Sequence, residues 1–174
     1  MIQQLQYSDF GHIYKIMENS FPLTEFRPKN EQEKLLKSKY YSVLGIKENN
    51  IPISIAAIWH FENFVFIEHL ATLPEYRNKG LGAQLLHEII SSTDKIVCLE
   101  VEPPIDELTT RRVGFYERYG MLFNSYPYIQ PSISECREPI PLFIMTSNRK
   151  VDEQEFIKIK NKLYKEVYKA TGNL

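Results

Sequence analysis

The stretch LATLPEYRNKGLGA, residues 70–83, decides the fold of this chain. It continues an apolar run, Phe64–Thr72, whose composition is typical of a β-strand. Leucines and isoleucines within residues 81–90 then recur at helical spacing. Gly80 and Gly82 stand where that helix opens. The stretch therefore predicts a strand, a glycine-containing turn and a helix in direct succession.

The turn has the features of an anion-binding site. The first four N–H groups of a helix lack intrahelical partners, and the helix N-terminus carries a partial positive charge. Gly80 and Gly82 have no Cβ atom, so a phosphate can approach their amides closely. Arg77 and Lys79 add positive charge beside them. The sequence therefore predicts that this turn binds a phosphate or pyrophosphate group.

Other interpretations of the glycine turn are open at this point. A P-loop requires GxxxxGK followed by Ser or Thr, and no such string occurs. The dinucleotide fingerprint GxGxxG of NAD-dependent oxidoreductases requires a third glycine, and Leu85 stands in its place. The plainest alternative is a helix start whose glycines serve packing and whose cations serve solubility.

Outward from the turn, the chain predicts a mixed sheet with helices. Strand-like segments at Tyr41–Ile46 and Ile51–Phe61 flank a hairpin connection and continue into Phe64–Thr72 as an antiparallel meander. The unit Phe64–Val101 predicts a strand–helix–strand crossover between parallel strands. The predicted class is α/β, with a central mixed, mostly antiparallel sheet and helices on both of its faces.

The C-terminal part adds further elements. A helix is predicted at Asp106–Tyr119, ended by Gly120, because glycine is favoured just after the last helical turn. Two strands are predicted at Met121–Phe123 and Ile140–Thr146. We expect the tyrosine- and proline-rich residues 126–131 between them to form a loop that lines a pocket.

The chain is predicted to be one domain, residues 1–174, with a core at about 1–147 and an amphipathic helix at about 152–170. Lys and Arg number 21 and Asp and Glu 22, so the net charge is −1, which argues against nonspecific nucleic-acid binding. The N-terminus lacks the pattern of a secretory signal, and the longest charge-free run is too short to span a bilayer. We therefore expect a cytoplasmic protein without a membrane or nucleic-acid partner.

The two cysteines, Cys98 and Cys136, form no disulfide framework, which fits a reducing compartment. The cysteines and the four histidines lack CxxC, HxH and HxxxH spacings. We therefore expect no metal site.

Two segments resemble signature motifs of the GNAT superfamily of N-acyltransferases. Arg77-x-x-Gly80-x-Gly82 resembles the segment that binds the pyrophosphate of acyl-CoA in that family. Phe115-Tyr116-Glu117-Arg118-Tyr119-Gly120-Met121 resembles its FYE-x-x-GF segment. The two motifs occur in the family's order, and the predicted strands and helices follow the family's layout from about Ile2 to Thr146.

The second motif departs from the family pattern at some positions. The family often has an asparagine and a small residue where this chain has Thr109 and Arg112. We expect Arg111 or Arg112 to contact a phosphate of CoA instead. Met121 replaces the usual phenylalanine, which changes the side-chain volume little.

The resemblance implies an acyl-CoA-dependent N-acetyltransferase. Such an enzyme would transfer an acetyl group from the co-substrate acetyl-CoA directly to a primary amine through a tetrahedral intermediate, without a metal. The acceptor would be a small-molecule amine or a peptide N-terminus, and a homodimer is a possible assembly. The alternative is a catalytically silent module that binds acyl-CoA as a sensor or scaffold.

The resemblance also implies which residues hold acetyl-CoA. The amides of residues 78–82 and the side chain of Arg77 would bind the pyrophosphate. The strand residues 70–72 would pair with the pantetheine, and an N–H group of Leu70 or Ala71 would face the thioester oxygen. The predicted cofactor-binding residues are Leu70, Ala71, Thr72, Arg77, Asn78, Lys79, Gly80, Leu81, Gly82 and Arg112.

Three side chains are predicted to be catalytic. Tyr116 is the expected acid toward the leaving thiolate, since a phenol has an ordinary pKa of about 10. Glu68 and Glu100 are the expected general bases, because a carboxylate in a cleft has a raised pKa. His69 or a chain of water molecules could take the same role. Cys98 is not expected to carry an acyl group, because free cysteine in an apolar strand usually serves packing.

Overall fold

The computed structural model describes residues 1–133 and 138–170, so Cys136 lies outside the described residues. The chain divides into two compact units, Met1–Val97 and a second that begins at Cys98. The described residues contain seven strands and five α-helices, and every strand pair described here is antiparallel. The predicted mixed α/β class with mostly antiparallel strands is confirmed. That the chain forms a single domain stays a prediction.

The first unit contains a four-stranded antiparallel sheet in the order β1-β2-β3-β4. Two asparagines with positive φ, Asn49 and Asn50, form the tight turn between β2 and β3, as expected for a hairpin whose twist matches its strands. The strands are β1 (Ile2–Gln4), β2 (Tyr41–Glu48), β3 (Ile51–His60) and β4 (Phe64–Thr72).

Helices cover both faces of this sheet. The unit has α1 (Phe10–Glu18), α2 (Lys29–Leu35) and α3 (Leu81–Ser91), and both α1 and α3 pack against β3. Successive residues of a strand point to opposite faces, and every residue from Pro52 to Trp59 is buried. The apolar residues of β3 therefore form the centre of the core of this unit.

A β-bulge in β4 interrupts its pairing with β3. Ala57 pairs with His69 and Ile58 pairs with Ile67, so Glu68 is an extra residue on the β4 side. A bulge bends its strand and redirects the side chains around it. It lies immediately before the segment that leads into the glycine turn.

The second unit contains β5 (Ile96–Val101), α4 (Glu107–Arg118), β6 (Met121–Gln130), β7 (Ile140–Ser147) and α5 (Glu153–Glu166). The strand β7 pairs antiparallel with both β5 and β6. The helix α5 packs against β6, so the predicted C-terminal amphipathic helix covers strands of its own unit. In the part of the chain that the structure describes, no helix combines the length and apolar character needed to cross a membrane.

The predicted boundaries of α4 are confirmed. Asp106 is its N-cap, and its carboxylate accepts a hydrogen bond of 2.7 Å from the Thr109 amide. The Thr109 hydroxyl donates to the same carboxylate at 2.8 Å. Gly120 follows the helix with φ 83°, a conformation that favours glycine. Thr109 therefore completes the capping box of α4 that begins at Asp106.

The prediction of a loop at residues 126–131 is wrong for most of that segment, because β6 extends to Gln130. Tyr126 stacks on Phe156 of α5 with ring centroids 4.9 Å apart, and Tyr128 is buried. Tyrosine is favoured in strands, and Pro127 falls where the β6–β7 register is interrupted, so no ladder hydrogen bond needs its missing N–H. These aromatic residues therefore serve packing, and they do not form the predicted pocket-lining loop.

Candidate active site

The glycine turn has a backbone conformation suited to anions. After β4, a short 3-10 turn at Pro74–Tyr76 leads to Arg77, and α3 begins at Leu81. Asn78 and Gly80 adopt left-handed conformations, with φ of 61° and 78°. Left-handed residues in such a turn bring successive N–H groups toward one side, which creates a concave anion site.

The amides of this turn are unpaired. The first amide that bonds back into the helix is that of Gln84, which donates to the Gly80 carbonyl at 3.0 Å. Among the residues that the structure describes, the N–H groups of residues 78–83 donate no hydrogen bond. No side chain caps α3, and a Cβ atom built on Gly80 would point into open space. The turn therefore presents a row of accessible donors.

Two cations flank these amides. Arg77 is anchored through Nε, which donates to the Thr72 carbonyl at 3.1 Å, and its side chain is exposed. The Lys79 Nζ lies 4.7 Å from the centre of the Tyr76 ring. The Tyr76 hydroxyl donates to Glu48 at the end of β2. The structure thus brings Arg77, Lys79 and the open amides together, and Glu48 and Tyr76 are supporting residues that the sequence did not reveal.

The last residues of β4 pair with β3 on one side. Leu70 pairs with Ala56, and Ala71 pairs with Ile55. The Ser54 hydroxyl donates to the Ala71 carbonyl at 3.1 Å. The predicted pantetheine-binding segment is therefore held rigidly from the β3 side.

Glu68 lies in a buried ion-pair network. Its side chain is 2% exposed, and it accepts hydrogen bonds from Arg27 at 2.6 Å and from the Trp59 indole at 2.9 Å. Burial raises the pKa of Glu68, but the charge of Arg27 and these hydrogen bonds outweigh burial, so the net pKa is lowered. The raised pKa expected from the sequence is therefore not found at Glu68. These contacts disfavour Glu68 as a general base and favour a structural role.

His69 is buried beside this network. Its Nε2 lies 2.8 Å from the Glu25 carbonyl, which only accepts, so Nε2 carries the hydrogen. Burial lowers the pKa of His69, although Glu68 opposes that shift. The Nδ1 atom has no hydrogen-bond partner among the described residues and lies 3.8 Å from a Glu68 oxygen. His69 is therefore a neutral, enclosed imidazole.

The lowered pKa of Glu68 predicts a loss of stability in acid. Its contribution is fully present above the ordinary glutamate pKa of 4.5 and is lost as the pH falls through the lower folded-state pKa. We expect the free energy of unfolding of Glu68→Gln to depend less on pH below about 4.5 than that of the wild type. Urea denaturation at a series of pH values measures this dependence.

The control is Glu62→Gln, at an exposed position between β3 and β4. Its free energy of unfolding should depend on pH as that of the wild type does. If the free energy of unfolding depended on pH equally in the wild type and in Glu68→Gln, the result would contradict the claim that the ion pair lowers the pKa of Glu68.

Tyr116 lies on α4 in the second unit and is partly buried. Burial raises the pKa of Tyr116 to about 12, although the nearby charge of Arg112 lowers it. Its ring packs edge-on against Phe115 at 5.2 Å. Within residues 1–133 and 138–170 its hydroxyl forms no hydrogen bond. Tyr116 therefore carries a protonated, available phenol at neutral pH.

Arg112, one helical turn before Tyr116, pairs with Glu102. The two side chains are 42% and 37% exposed, so water screens the pair. A surface pair of this kind contributes about 0–1 kcal/mol. Arg112 can therefore exchange Glu102 for a phosphate at little cost.

Glu100 accepts hydrogen bonds from two tyrosines of its own unit. The hydroxyl of Tyr128 on β6 donates to one carboxylate oxygen, and that of Tyr168, just after α5, donates to the other at 2.6 Å. Burial and Glu100 both raise the pKa of Tyr128. The sequence did not predict either tyrosine as a partner of Glu100.

Cys98 on β5 is buried and not part of a disulfide. Burial and the nearby Glu100 raise the pKa of its thiol. A protonated, enclosed thiol is a poor nucleophile. The structure therefore agrees with the expectation that Cys98 does not carry an acyl group.

Comparison with known proteins points to one family. Residues 39–120 match the family model described as an acetyltransferase (GNAT) domain, which spans both the glycine turn and Tyr116. A curated protein of Bacillus subtilis (strain 168), "Putative acetyltransferase YjbC", is 32% identical over 108 residues. That match covers 60% of this chain and 54% of the relative, so the chain spans about half of that relative's length.

Solved structures share the fold. A Bacteroides thetaiotaomicron protein described as "Putative acetyltransferase from GNAT family" is 28% identical, with a TM-score of 0.87 over 98% of this chain and 99% of that one. An Elizabethkingia anophelis GNAT acetyltransferase, solved with acetyl-CoA bound, is 17% identical. Its TM-score is 0.60 over 84% of this chain and 96% of its own, which shows likeness of fold.

Proposed function

We propose that this chain is a member of the GNAT family of acetyltransferases, which it resembles in sequence and fold, and that it transfers an acetyl group from acetyl-CoA directly to a primary amine through a tetrahedral intermediate. The observation that carries this proposal is the row of unpaired amides at residues 78–83, flanked by Arg77 and Lys79. Open N–H donors beside two cations are what a diphosphate requires.

The residues of the turn fit the diphosphate of CoA. The amides of residues 78–82 donate to its oxygens, and Gly80 leaves room because it has no Cβ. Arg77 and Lys79 compensate its negative charge, and Arg112 is the further candidate for a phosphate contact. The relative from Elizabethkingia anophelis, which carries acetyl-CoA, supports this choice of co-substrate.

The backbone of residues 70–72 is the proposed partner of the pantetheine. An extended segment can pair with an amide-containing chain through strand-like hydrogen bonds. When an amine attacks the thioester that acetyl-CoA supplies, negative charge develops on the carbonyl oxygen and then on the departing sulfur. An N–H group of Leu70 or Ala71 stabilises the oxygen.

Tyr116 is proposed to stabilise the departing sulfur. An ordinary thiol has a pKa of about 8.5, whereas the pKa of Tyr116 is about 12. Complete proton transfer from the phenol to the thiolate would therefore be uphill by roughly 5 kcal/mol. We assign Tyr116 as a hydrogen-bond donor to the sulfur. The proton that the sulfur finally gains comes from the substrate nitrogen, which becomes acidic once it has formed its bond to the carbonyl carbon.

Glu100 is the favoured general base in this proposal. Its side chain is half-buried, whereas Glu68 is enclosed and bound to Arg27. The base removes the proton that the amine must lose, either directly or through water. The proposed acceptor is a small amine or a peptide N-terminus, which the carboxylates Glu100 and Glu102 attract. A cytoplasmic location and a homodimer stay predictions.

Replacing Glu100 by glutamine tests the base. We expect kcat to fall by about tenfold, less than the full effect of a general base, because water can relay part of the proton transfer. Steady-state kinetics at saturating acetyl-CoA measure the effect. Glu117→Gln, an exposed change on α4, is the control and should keep the wild-type kcat. A Glu100→Gln enzyme with unchanged kcat would remove Glu100 from the mechanism.

Removing the Tyr76 hydroxyl tests how the turn is held. We expect Tyr76→Phe to weaken acetyl-CoA binding by about threefold, because the hydrogen bond to Glu48 that positions the turn is lost at an exposed site. Isothermal titration calorimetry measures the affinity. Tyr40→Phe is the matched control, since Tyr40 is exposed and has Lys39 over its ring at 5.0 Å, as Tyr76 has Lys79. Equal affinities in the three proteins would show that this contact does not position the turn.

Two assays test the proposed activity. Thermal denaturation with acetyl-CoA, CoA and NAD should show stabilisation by the first two only, because a ligand of the native state raises the melting temperature. Release of free CoA in the presence of polyamines, small primary amines and peptides should then identify an acceptor. Binding without turnover on any amine would favour the silent sensor module. Stabilisation by NAD alone would contradict both.

A further inference from the structure

A cavity of about 390 Å³ lies in the first unit, beside the C-terminal half of α3 rather than at its glycine-rich start. Its size falls within the range of small-molecule sites. Its lining includes the apolar residues Ile58 and Ile89 and the polar residues Ser42, His60, Glu88 and Lys95. Apolar side chains with a few polar groups are the usual composition of a ligand pocket.

The cavity carries two opposite charges that do not neutralise each other. Neither Glu88 nor Lys95 forms a salt bridge with any residue that the structure describes. The Lys95 ammonium donates one hydrogen bond, to the Phe61 carbonyl at 2.9 Å, and so keeps two further donors. Glu88 lies near the end of α3, where the helix dipole adds negative character.

The remaining polar groups add hydrogen bonding without adding charge. The His60 Nε2 and the Ser42 hydroxyl lie 2.8 Å apart on neighbouring strands. Burial and the nearby Lys95 both lower the pKa of His60, so its imidazole is neutral at pH 7. The charged groups of the cavity lining are therefore one anion and one cation, and its other polar groups are neutral.

We propose that this cavity binds a small zwitterion of the amino-acid type, independently of acetyl transfer. Glu88 takes the ammonium group, Lys95 takes the carboxylate, and the hydrocarbon part lies over Ile58 and Ile89. A monovalent amine would leave Lys95 without a counterion, and a monovalent carboxylate would do the same to Glu88. Only a ligand with both charges complements the two sites at once.

The test uses matched six-carbon ligands. Leucine and 6-aminohexanoate are isomers that differ in the spacing of their charges, whereas hexylamine and hexanoate each keep one charge. We expect calorimetry to show that one of the two zwitterions binds at least tenfold more tightly than either monovalent compound. The identity of the isomer that binds more tightly reports the distance between the Glu88 carboxylate and the Lys95 ammonium. Failure of both zwitterions to bind at 10 mM, or equal binding by all four compounds, would overturn the proposal.

Variants place the ligand in this cavity. Glu88→Gln and Lys95→Met should each weaken binding of the preferred zwitterion at least tenfold and leave acetyl-CoA affinity unchanged. The charge-matched controls are Glu18→Gln and Lys15→Met, at exposed positions of α1, which should bind the zwitterion as the wild type does. Undiminished zwitterion binding by both cavity variants would also overturn the proposal. None of these readouts depends on whether the protein transfers acetyl groups.

Discussion

Replacing Gly80 by aspartate is expected to weaken acetyl-CoA binding by about a hundredfold. Gly80 has φ 78°, and its missing side chain leaves open space in front of the turn amides. A carboxylate there would face the diphosphate, and two like charges at 4 Å repel by about 1 kcal/mol in water and about 4 kcal/mol near a protein surface. A hundredfold loss corresponds to about 2.7 kcal/mol, which lies inside that range.

Gly80→Asn separates charge from backbone strain. Asparagine has nearly the shape of aspartate, and both tolerate positive φ better than most residues. We expect Gly80→Asn to lose about tenfold in affinity through its side-chain bulk, with an unfolding midpoint close to that of Gly80→Asp. Calorimetric titration with acetyl-CoA gives the affinities, and urea denaturation gives the midpoints. Equal affinities for the aspartate and asparagine variants would contradict the assignment of the turn as an anion site.

Replacing Tyr116 by phenylalanine is expected to lower kcat by about 10- to 1000-fold while acetyl-CoA affinity stays unchanged. The phenol, whose pKa is about 12, keeps its proton over the whole working pH range. Its loss removes a hydrogen bond that matters only when negative charge develops on the sulfur. The effect should therefore fall on kcat and not on the dissociation constant.

The matched control is Tyr119→Phe. Tyr119 lies at the C-cap of the same helix, its ring packs against Phe115 at 5.1 Å, and it is 41% exposed. We expect this variant to keep the wild-type kcat and affinity. Steady-state kinetics and calorimetry on the three proteins measure both quantities. A Tyr116→Phe enzyme with the wild-type kcat would show that the phenol takes no part in the reaction.

The features that the sequence predicted correctly depend on residues close together in the chain. The glycine turn requires only the order of residues 70–83, and its positive φ at Gly80 follows from local sterics. The boundaries of α4 follow from Asp106 at one end and Gly120 at the other. Local rules of this kind act within a few residues, so one sequence is enough to apply them.

The features that the sequence did not predict depend on residues that are far apart along the chain. Arg27 lies 41 positions from Glu68 and reverses the direction of the pKa shift that burial alone would give. Tyr168 lies 68 positions from Glu100, and nothing in the local pattern connects them. The extension of β6 was missed because a proline such as Pro127 is disfavoured inside a strand. The pairing that makes this segment a strand joins residues distant in the chain, such as Tyr128 and Leu142 of β7.

Hydrogen exchange of the turn amides tests the central claim most directly, namely that the N–H groups of residues 78–83 bind the diphosphate of acetyl-CoA. These amides are unpaired in the structure and should exchange quickly in the free protein. Saturation with acetyl-CoA should slow their exchange, whereas acetyl-pantetheine, which lacks the diphosphate, should not. Unchanged exchange at residues 78–83 in protein saturated with acetyl-CoA would contradict the account.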